Sequence, residues 1–322
     1  MTVTPRVSII IPLHILNARF RADLARYKSL AYDNYEILIV SDSPATIDTP
    51  GVKQVLTGRK KTGPAEKRDI ALSHCTGEIC AFIDDDAYPD PLWLKNAAPH
   101  FDRSDVAAVC GPGLTPPEDR LLARAGGAVY EARLGSGPNV RRFRRAPSCE
   151  IDDAPAFNLL IRKAVLEGIG GFASTFYGGE DTKVCLAIVQ TGRKILYDPD
   201  VIVYHHRRPL LLSHVRQIFN VGLHRGYFVK RFPATSRRFV YFLPLSGFVF
   251  AAAGAMTAAI VPGMRPLVTT GVAGWTLAAL ISAWLVNPNP FVAVLASVGI
   301  TATHVTYAIG FARGLLLRDL ER

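Results

Sequence analysis

Residues 79–94 read ICAFIDDDAYPDPLWL. The apolar run Ile79–Ile83, closed by Asp and Pro, has the length and composition of a strand buried on both faces. Three carboxylates, Asp84, Asp85 and Asp86, follow it directly and so fall at a strand's carboxyl end. In open α/β sheets that is where ligands bind. Clustered carboxylates repel one another unless a cation neutralises them. Hard oxygen ligands suit Mg²⁺ or Mn²⁺, which in turn bridge phosphate oxygens. An acidic turn capping a helix after Pro91 would use the same residues, so the stretch needs support from the rest of the chain.

That support begins with the elements on either side. Val7–Leu13, Tyr35–Val40 and Val106–Cys110 are further short apolar runs rich in β-branched residues, each predicted as a buried strand. Between them Arg19–Ala31 and Pro64–His74 carry helical spacing, the second with Pro at an early helical position. Strand–helix–strand alternation predicts an α/β layer with a mainly parallel sheet. No G-x-G-x-x-G follows the first strand, which argues against a nicotinamide or flavin site. Residues 114–153 read as a basic, loop-rich insertion with one helix near Arg120–Arg133. After it come a strand at Phe157–Arg162, helices from Lys163 and from about Asp181, and a strand at Val201–Tyr204.

Charge and hydropathy divide the chain. The 322 residues carry a net charge of +10, yet residues 1–206 are neutral, and Arg207–Arg238 holds eight basic residues and no acid. A diffusely basic nucleic-acid binder would not be built so. A basic collar fits the positive-inside rule and attraction to anionic lipids. Beyond Arg238 the only charges before Asp319 are Arg265, Arg313 and Arg318. Three apolar segments result, Phe239–Val261, Pro266–Val286 and Phe291–Ala312, each near the length needed to span a bilayer. Three full spans would put Arg313, Arg318 and Arg322 opposite the collar, against the positive-inside rule, so two or three helices are expected. Pro209–Phe232 has an apolar stripe (Leu211, Val215, Ile218, Phe219, Leu223) suited to a membrane interface, although a buried helix would show the same stripe. Five scattered cysteines form no C-x-x-C pair, and the N-terminus has no signal-peptide pattern. The expectation is a multi-pass inner-membrane protein whose first 206 residues face the cytoplasm.

Two more features carry chemistry: Gly178-Gly179-Glu180-Asp181, where capping alone would explain Asp181, and the strand Val201–Tyr204, which ends in His205 and His206. With VSIIIPL, YEILIVSDS, GPAEKRDIALSHCTGEICAFIDDDAYPDPLWL, FNLLIRKAVLEGIGGF and YGGEDTKVCLAIVQTGRKILYDPDVIVYHH in this order, residues 1–206 resemble family 2 glycosyltransferases. The resemblance implies the GT-A nucleotide-diphospho-sugar transferase fold, a Rossmann-like mixed sheet, here followed by α-helical membrane segments. It implies donor contacts at Pro12, Asp42, Arg68, Asp84 and Asp85. A divalent metal would be held by Asp84, Asp86 and His205, with His206 as the alternative. Asp181 matches the general base and Glu180 an acceptor-binding residue.

Departures from the family pattern narrow the class. Polymer-extruding members carry Q-x-x-R-W before their membrane helices, and HVRQIFNVGLHRG has no Trp. Members acting on a bare polyprenyl phosphate usually lack the ED pair, which makes them the alternative reading. The resemblance therefore implies inverting, metal-dependent transfer of one sugar from a nucleotide-sugar donor to a lipid-linked glycan in surface-polysaccharide or glycolipid assembly. The expected organisation is a catalytic domain at 1–206, a basic interfacial segment at 207–238 and a transmembrane region at 239–322. A catalytically inactive lipid- or glycan-binding scaffold would be marked by loss of Asp86 or Asp181, and both are present.

Overall fold

A computed structural model describes residues 4–47, 49, 51–174 and 179–320. Eleven strands are found among them: β1 (Val7–Pro12), β2 (Tyr35–Ser41), β3 (Val52–Leu56), β4 (Ile79–Phe82), β5 (Ala87–Pro89), β6 (Val106–Cys110), β7 (Gly113–Leu114), β8 (Cys149–Ile151), β9 (Leu159–Arg162), β10 (Lys194–Tyr197) and β11 (Val203–His205). The helices are α1 (Ala18–Leu24), α2 (Pro64–Leu72), α3 (Trp93–Ala97), α4 (Leu121–Glu131), α5 (Arg133–Ser136), α6 (Lys163–Gly168), α7 (Glu180–Gln190), α8 (Leu212–Arg231), α9 (Pro233–Ser236), α10 (Phe239–Ile260), α11 (Arg265–Trp284) and α12 (Pro290–Leu316).

Two compact units emerge: residues up to Leu114 with Arg144–His206, and Thr115–Phe143 with Arg207 onward. In the first, eight strands form a sheet in the order β3-β2-β1-β4-β9-β6-β10-β8. The strands β3, β2, β1 and β4 are parallel, as is β10 on β6. Antiparallel β9 is inserted between β4 and β6, and β8 pairs antiparallel with β10, so the sheet is mixed. Every residue of β1 is buried, which is why VSIIIP shows no alternation. Helix α1 begins where Asn17 accepts a hydrogen bond from the Phe20 N–H, and it gives way to a 3₁₀ turn over Ala25–Ser29. The helix expected over residues 19–31 is therefore two pieces. A second, three-stranded sheet, β5-β11-β7, stands at the carboxyl end of β4. Buried Asn158 fastens it, accepting from the Trp93 indole (2.9 Å) and donating to the carbonyls of Val201 (2.8 Å) and Pro112 (3.2 Å).

The second unit is organised around α12. Its first half packs on small residues of α4 and α11, with Ala125, Ala128, Ala132, Ala279 and Ala283 enclosing Ala293, Ala296 and Ile300. Its second half meets α8 through glycines. A Cβ added at Gly222 or Gly226 would strike the backbone of Tyr307 or Phe311, and one at Gly310 or Gly314 the carbonyl of Phe219 or Leu223. The two helices thus approach backbone to backbone, as small-x-x-x-small pairs allow. His214 meets Thr303 (2.8 Å) near the start of α8, and Lys230 donates to the Leu317 carbonyl near its end. The pairs advance together, so the helices run parallel. Of the apolar stripe expected on Pro209–Phe232, Ile218 is buried and Leu211 is exposed.

Among the described residues, three helices are long and apolar enough to cross a membrane: Phe239–Ile260, Pro262–Trp284 (α11 with the short turn before it) and Pro290–Leu316. The last continues past the expected end at Ala312, which places Arg313 in its final turn, its guanidinium over the Phe219 ring of α8 at 5.9 Å. Helix α10 starts at the same end of α12, with the Phe242 ring 5.0 Å from that of Phe311. Beside it, Arg225 of α8 lies over Tyr241 at 4.5 Å.

Gly310→Val forces a side chain into the α8 backbone and should destabilise the protein by about 1–3 kcal/mol. Gly247→Val, on α10 with nothing nearby to meet a Cβ, should be close to neutral. Unfolding in detergent, followed by circular dichroism, compares the two; equal losses would refute the backbone contact.

Candidate active site

The carboxylates expected from residues 84–86 occupy a tight turn between β4 and β5, closed by the Ala87 N–H donating to the Asp84 carbonyl (3.1 Å). Antiparallel pairing of β5 with β11 sets His205 opposite Ala87, one residue from Asp86. The His205 Nε2 lies 2.9 Å from Asp86 Oδ1, and the Phe157 ring packs against its imidazole at 4.6 Å. The neighbouring His206 is turned away and buried, its Nε2 3.1 Å from Asp23 Oδ2. Of the two histidines, His205 is therefore the one that joins the aspartates.

Asp84, Asp86 and His205 each present one ligand atom, and these atoms lie within 4.8 Å of one another. Two carboxylate oxygens and an imidazole nitrogen make a donor set that fits a divalent cation such as Mn²⁺ or Mg²⁺. The electrostatics agree. Burial pushes the Asp84 carboxyl above its ordinary range, and the charge of Asp86 adds to this while Arg68 and His205 oppose it. Burial, with Asp86 and Asp84, likewise pushes Asp85 up to about 6, although it accepts a hydrogen bond from the His14 N–H (2.7 Å). Such a cluster is strained by its own charge until a cation enters.

One protein cation is already built in. Arg68, on α2, is 3% exposed and donates to Asp84 (2.8 Å) and to Glu180 (3.0 Å). Burial works against its charge, and the two carboxylates more than compensate, raising its pKa. The sequence led us to expect Arg68 beside a diphosphate; in the structure two of its nitrogens are engaged with these acids. Glu180 and Asp181 open α7 after Gly179, whose φ of +82° suits glycine. Gly178 of that expected turn lies outside the described residues. Asp181 is half-buried and accepts from the Thr182 N–H at 2.8 Å.

Pro12 closes β1 and is buried between β2 and β4. Asp42 follows β2 directly. Its Oδ1 accepts from the Thr57 hydroxyl (2.7 Å), and its Oδ2 accepts from the Thr62 N–H (3.2 Å) and the Lys67 ammonium (3.0 Å). Burial opposes the charge, but the Thr62 side chain, together with these hydrogen bonds, holds the Asp42 carboxyl down at about 2. Lys67, 2% exposed, also donates to the Leu13 carbonyl (2.7 Å). Sequence reasoning missed Lys67. It also missed Asp69, which accepts from the Phe172 and Ala173 N–H groups. The available signal was three successive charges, Lys67, Arg68 and Asp69, on a helix packed beside buried strands.

Arg68→Met should destabilise the protein by about 3–5 kcal/mol at neutral pH, because it leaves two buried carboxylates uncompensated. Lowering the pH protonates Asp84, whose carboxyl burial already holds above its ordinary range, so the deficit should shrink as the pH falls. Urea unfolding in the presence of a chelator measures both effects; a deficit independent of pH would show that Arg68 is held for packing alone.

Comparison with known proteins places this geometry. The pre-mycofactocin glycosyltransferase of Mycobacterium tuberculosis is 28% identical over 163 residues, 49% of this chain and 33% of that protein. The chain thus spans about a third of that relative's length. The dolichyl N-acetyl-alpha-D-glucosaminyl phosphate 3-beta-D-2,3-diacetamido-2,3-dideoxy-beta-D-glucuronosyltransferase of Methanococcus voltae is 22% identical over 242 residues, 70% of this chain and 74% of its own. Among solved structures, the mannosyltransferase PcManGT of Pyrobaculum calidifontis, determined with GDP-Man and Mn²⁺, superposes with a TM-score of 0.63 at 21% identity. That match covers 94% of this chain and 87% of the other, a likeness of fold. The model of Glycosyl transferase family 2 matches residues 8–170, half of the chain, from the first strand through the triple aspartate to the glycines before Phe172. On that match the chain belongs to glycosyl transferase family 2.

Proposed function

We propose that this enzyme transfers a single sugar, with inversion, from a nucleotide-sugar donor to a lipid-linked glycan during surface-polysaccharide or glycolipid assembly. The observation that carries the reading is the Asp84–Asp86–His205 cluster joined through Arg68 to Glu180. A divalent ion bound there, Mn²⁺ or Mg²⁺, supplies positive charge against the departing nucleoside diphosphate. Asp42 and Pro12, at the ends of β2 and β1, line the nucleoside side, with Asp85 between them and the cluster. Arg68 holds Asp84 and Glu180 in place, near the diphosphate but without gripping it. Asp181 takes the proton from the acceptor hydroxyl as it attacks the anomeric carbon, and Glu180 orients that hydroxyl. A single base and no covalent nucleophile give one displacement, hence inversion.

The acceptor reading is supported by the three apolar helices of the second unit and by the name of the Methanococcus voltae relative, which describes a sugar carried on a dolichyl phosphate. We place the catalytic domain at residues 1–206, an interfacial segment of basic collar at 207–238 that attracts anionic lipids, and the membrane region after it. The catalytic domain faces the cytoplasm of an inner-membrane protein, the compartment in which nucleotide sugars are made.

Two variants test the assignment in the full chain. Asp86→Asn should abolish stabilisation by nucleotide that depends on Mn²⁺; a thermal shift as large as that of the wild type would remove the metal role. Asp181→Asn should keep donor affinity and lower turnover by about 10²-fold or more. The wild-type product should carry the anomeric configuration opposite to the donor's, read by NMR; retention would mean that Asp181 is not the base.

A further inference from the structure

We infer that Asp23 and His206 are positioning residues for the divalent ion, their hydrogen bond keeping His205 and Asp86 aimed at one point; this rests on the metal site proposed above. The starting observation is a buried pair to which the proposed chemistry gives no task. Asp23 on α1 and His206 after β11 are both buried, and the imidazole Nε2 lies 3.1 Å from Asp23 Oδ2. A carboxylate only accepts, so Nε2 carries the proton and donates. Burying such a pair adds little stability, because an apolar pair of similar size would fill the space as well or better. What the pair does fix is direction.

Successive side chains along an extended strand leave on opposite faces. Holding the His206 ring toward α1 therefore sends the His205 ring to the other side, where Asp84 and Asp86 stand. The backbone closes the link, since the His206 N–H donates to the Asp86 carbonyl (2.9 Å). One residue is thus bound to α1 by its side chain and to the aspartate turn by its main chain. Strands β5 and β11, three residues each, have little pairing of their own to fix this arrangement. A second hold comes from Arg26, whose Nε lies 3.6 Å from Asp23 Oδ1. Its guanidinium covers the Tyr88 ring at 3.9 Å, and Tyr88 stacks on its cross-strand partner Tyr204 at 5.0 Å. Tyr88 also packs against the His206 ring at 5.7 Å. Asp23 and Arg26 together grip the β5–β11 pair that Asp86 enters and His205 leaves.

The test is Mn²⁺ alone titrated into the full chain in detergent. Electron paramagnetic resonance reads the free ion, and the nitrogen modulation of the spin echo reads imidazole on the bound ion. The wild type should bind Mn²⁺ and show modulation that His205→Ala removes. Asp23→Leu combined with His206→Phe replaces the pair by apolar side chains, so this double variant should melt no earlier than the wild type. Its Mn²⁺ affinity should nonetheless fall about 10-fold, as when an outer partner of a metal ligand is lost, and its nitrogen modulation should weaken. Asp23→Asn keeps an oxygen that accepts from Nε2 and should bind Mn²⁺ as the wild type does. Wild-type affinity and modulation in the double variant would overturn the inference and leave the metal site standing. A loss in Asp23→Asn equal to that in the double variant would also overturn it, since the ion would then sense the charge of Asp23 and not its hold on His206. No binding by the wild type, or modulation that survives His205→Ala, would remove the metal site and the inference with it.

Discussion

Arg68 reaches Asp84 with one nitrogen and Glu180 with another, and so ties α2 to the turn after β4 and to the start of α7. Much of the remaining site is arranged around this constraint. Five acids, Asp84, Asp85, Asp86, Glu180 and Asp181, belong to two short stretches of sequence that the fold brings together. Without an internal cation their mutual repulsion, strengthened by burial, would drive the turn and the helix start apart. Arg68 lowers that repulsion only partly. Asp84 and Asp85 still hold their protons more tightly than exposed aspartates do. The residual charge excess is what a divalent ion at Asp84, Asp86 and His205 would relieve, so ion affinity and structural strain are one quantity seen from two sides.

Neighbouring Lys67 does the same for the other half of the cleft. It closes the gap between the end of β1 and Asp42, with its ammonium on the Leu13 carbonyl and the Asp42 carboxylate. Consecutive residues on one helix thus pair with carboxylates after two different strands. Asp69, the third charge in the row, accepts two backbone N–H groups from the loop that leads toward α7. A single short helix therefore holds Asp42, the Asp84–Glu180 pair and the backbone at Phe172 and Ala173.

How far the sequence could be read depended on range. Long apolar strands such as Val7–Pro12 and Val106–Cys110 declare themselves, because burial on both faces leaves an unbroken run of apolar residues. Strands β5, β7 and β8, of two or three residues, are too short to show a period and exist only because neighbours supply their partners. The aspartate triplet was legible because its chemistry is local. The function of Arg68 was not, since Glu180 lies 112 residues away. Nor could His205 be told from His206 before the register of β11 on β5 was known. The glycines of α8 and α12 were equally silent: spacing of four within each helix becomes meaningful only once the two are seen to face each other.

The parallel course of α8 and α12 has a topological corollary. Helix α10 starts beside Arg225 and Phe311, and the chain leaves α12 beside Lys230, at that same end of the pair. A path that enters and leaves a run of apolar helices at one end makes an even number of full passages. Lys230 of the collar and Arg313 of α12 thus lie at the same end of the helix pair.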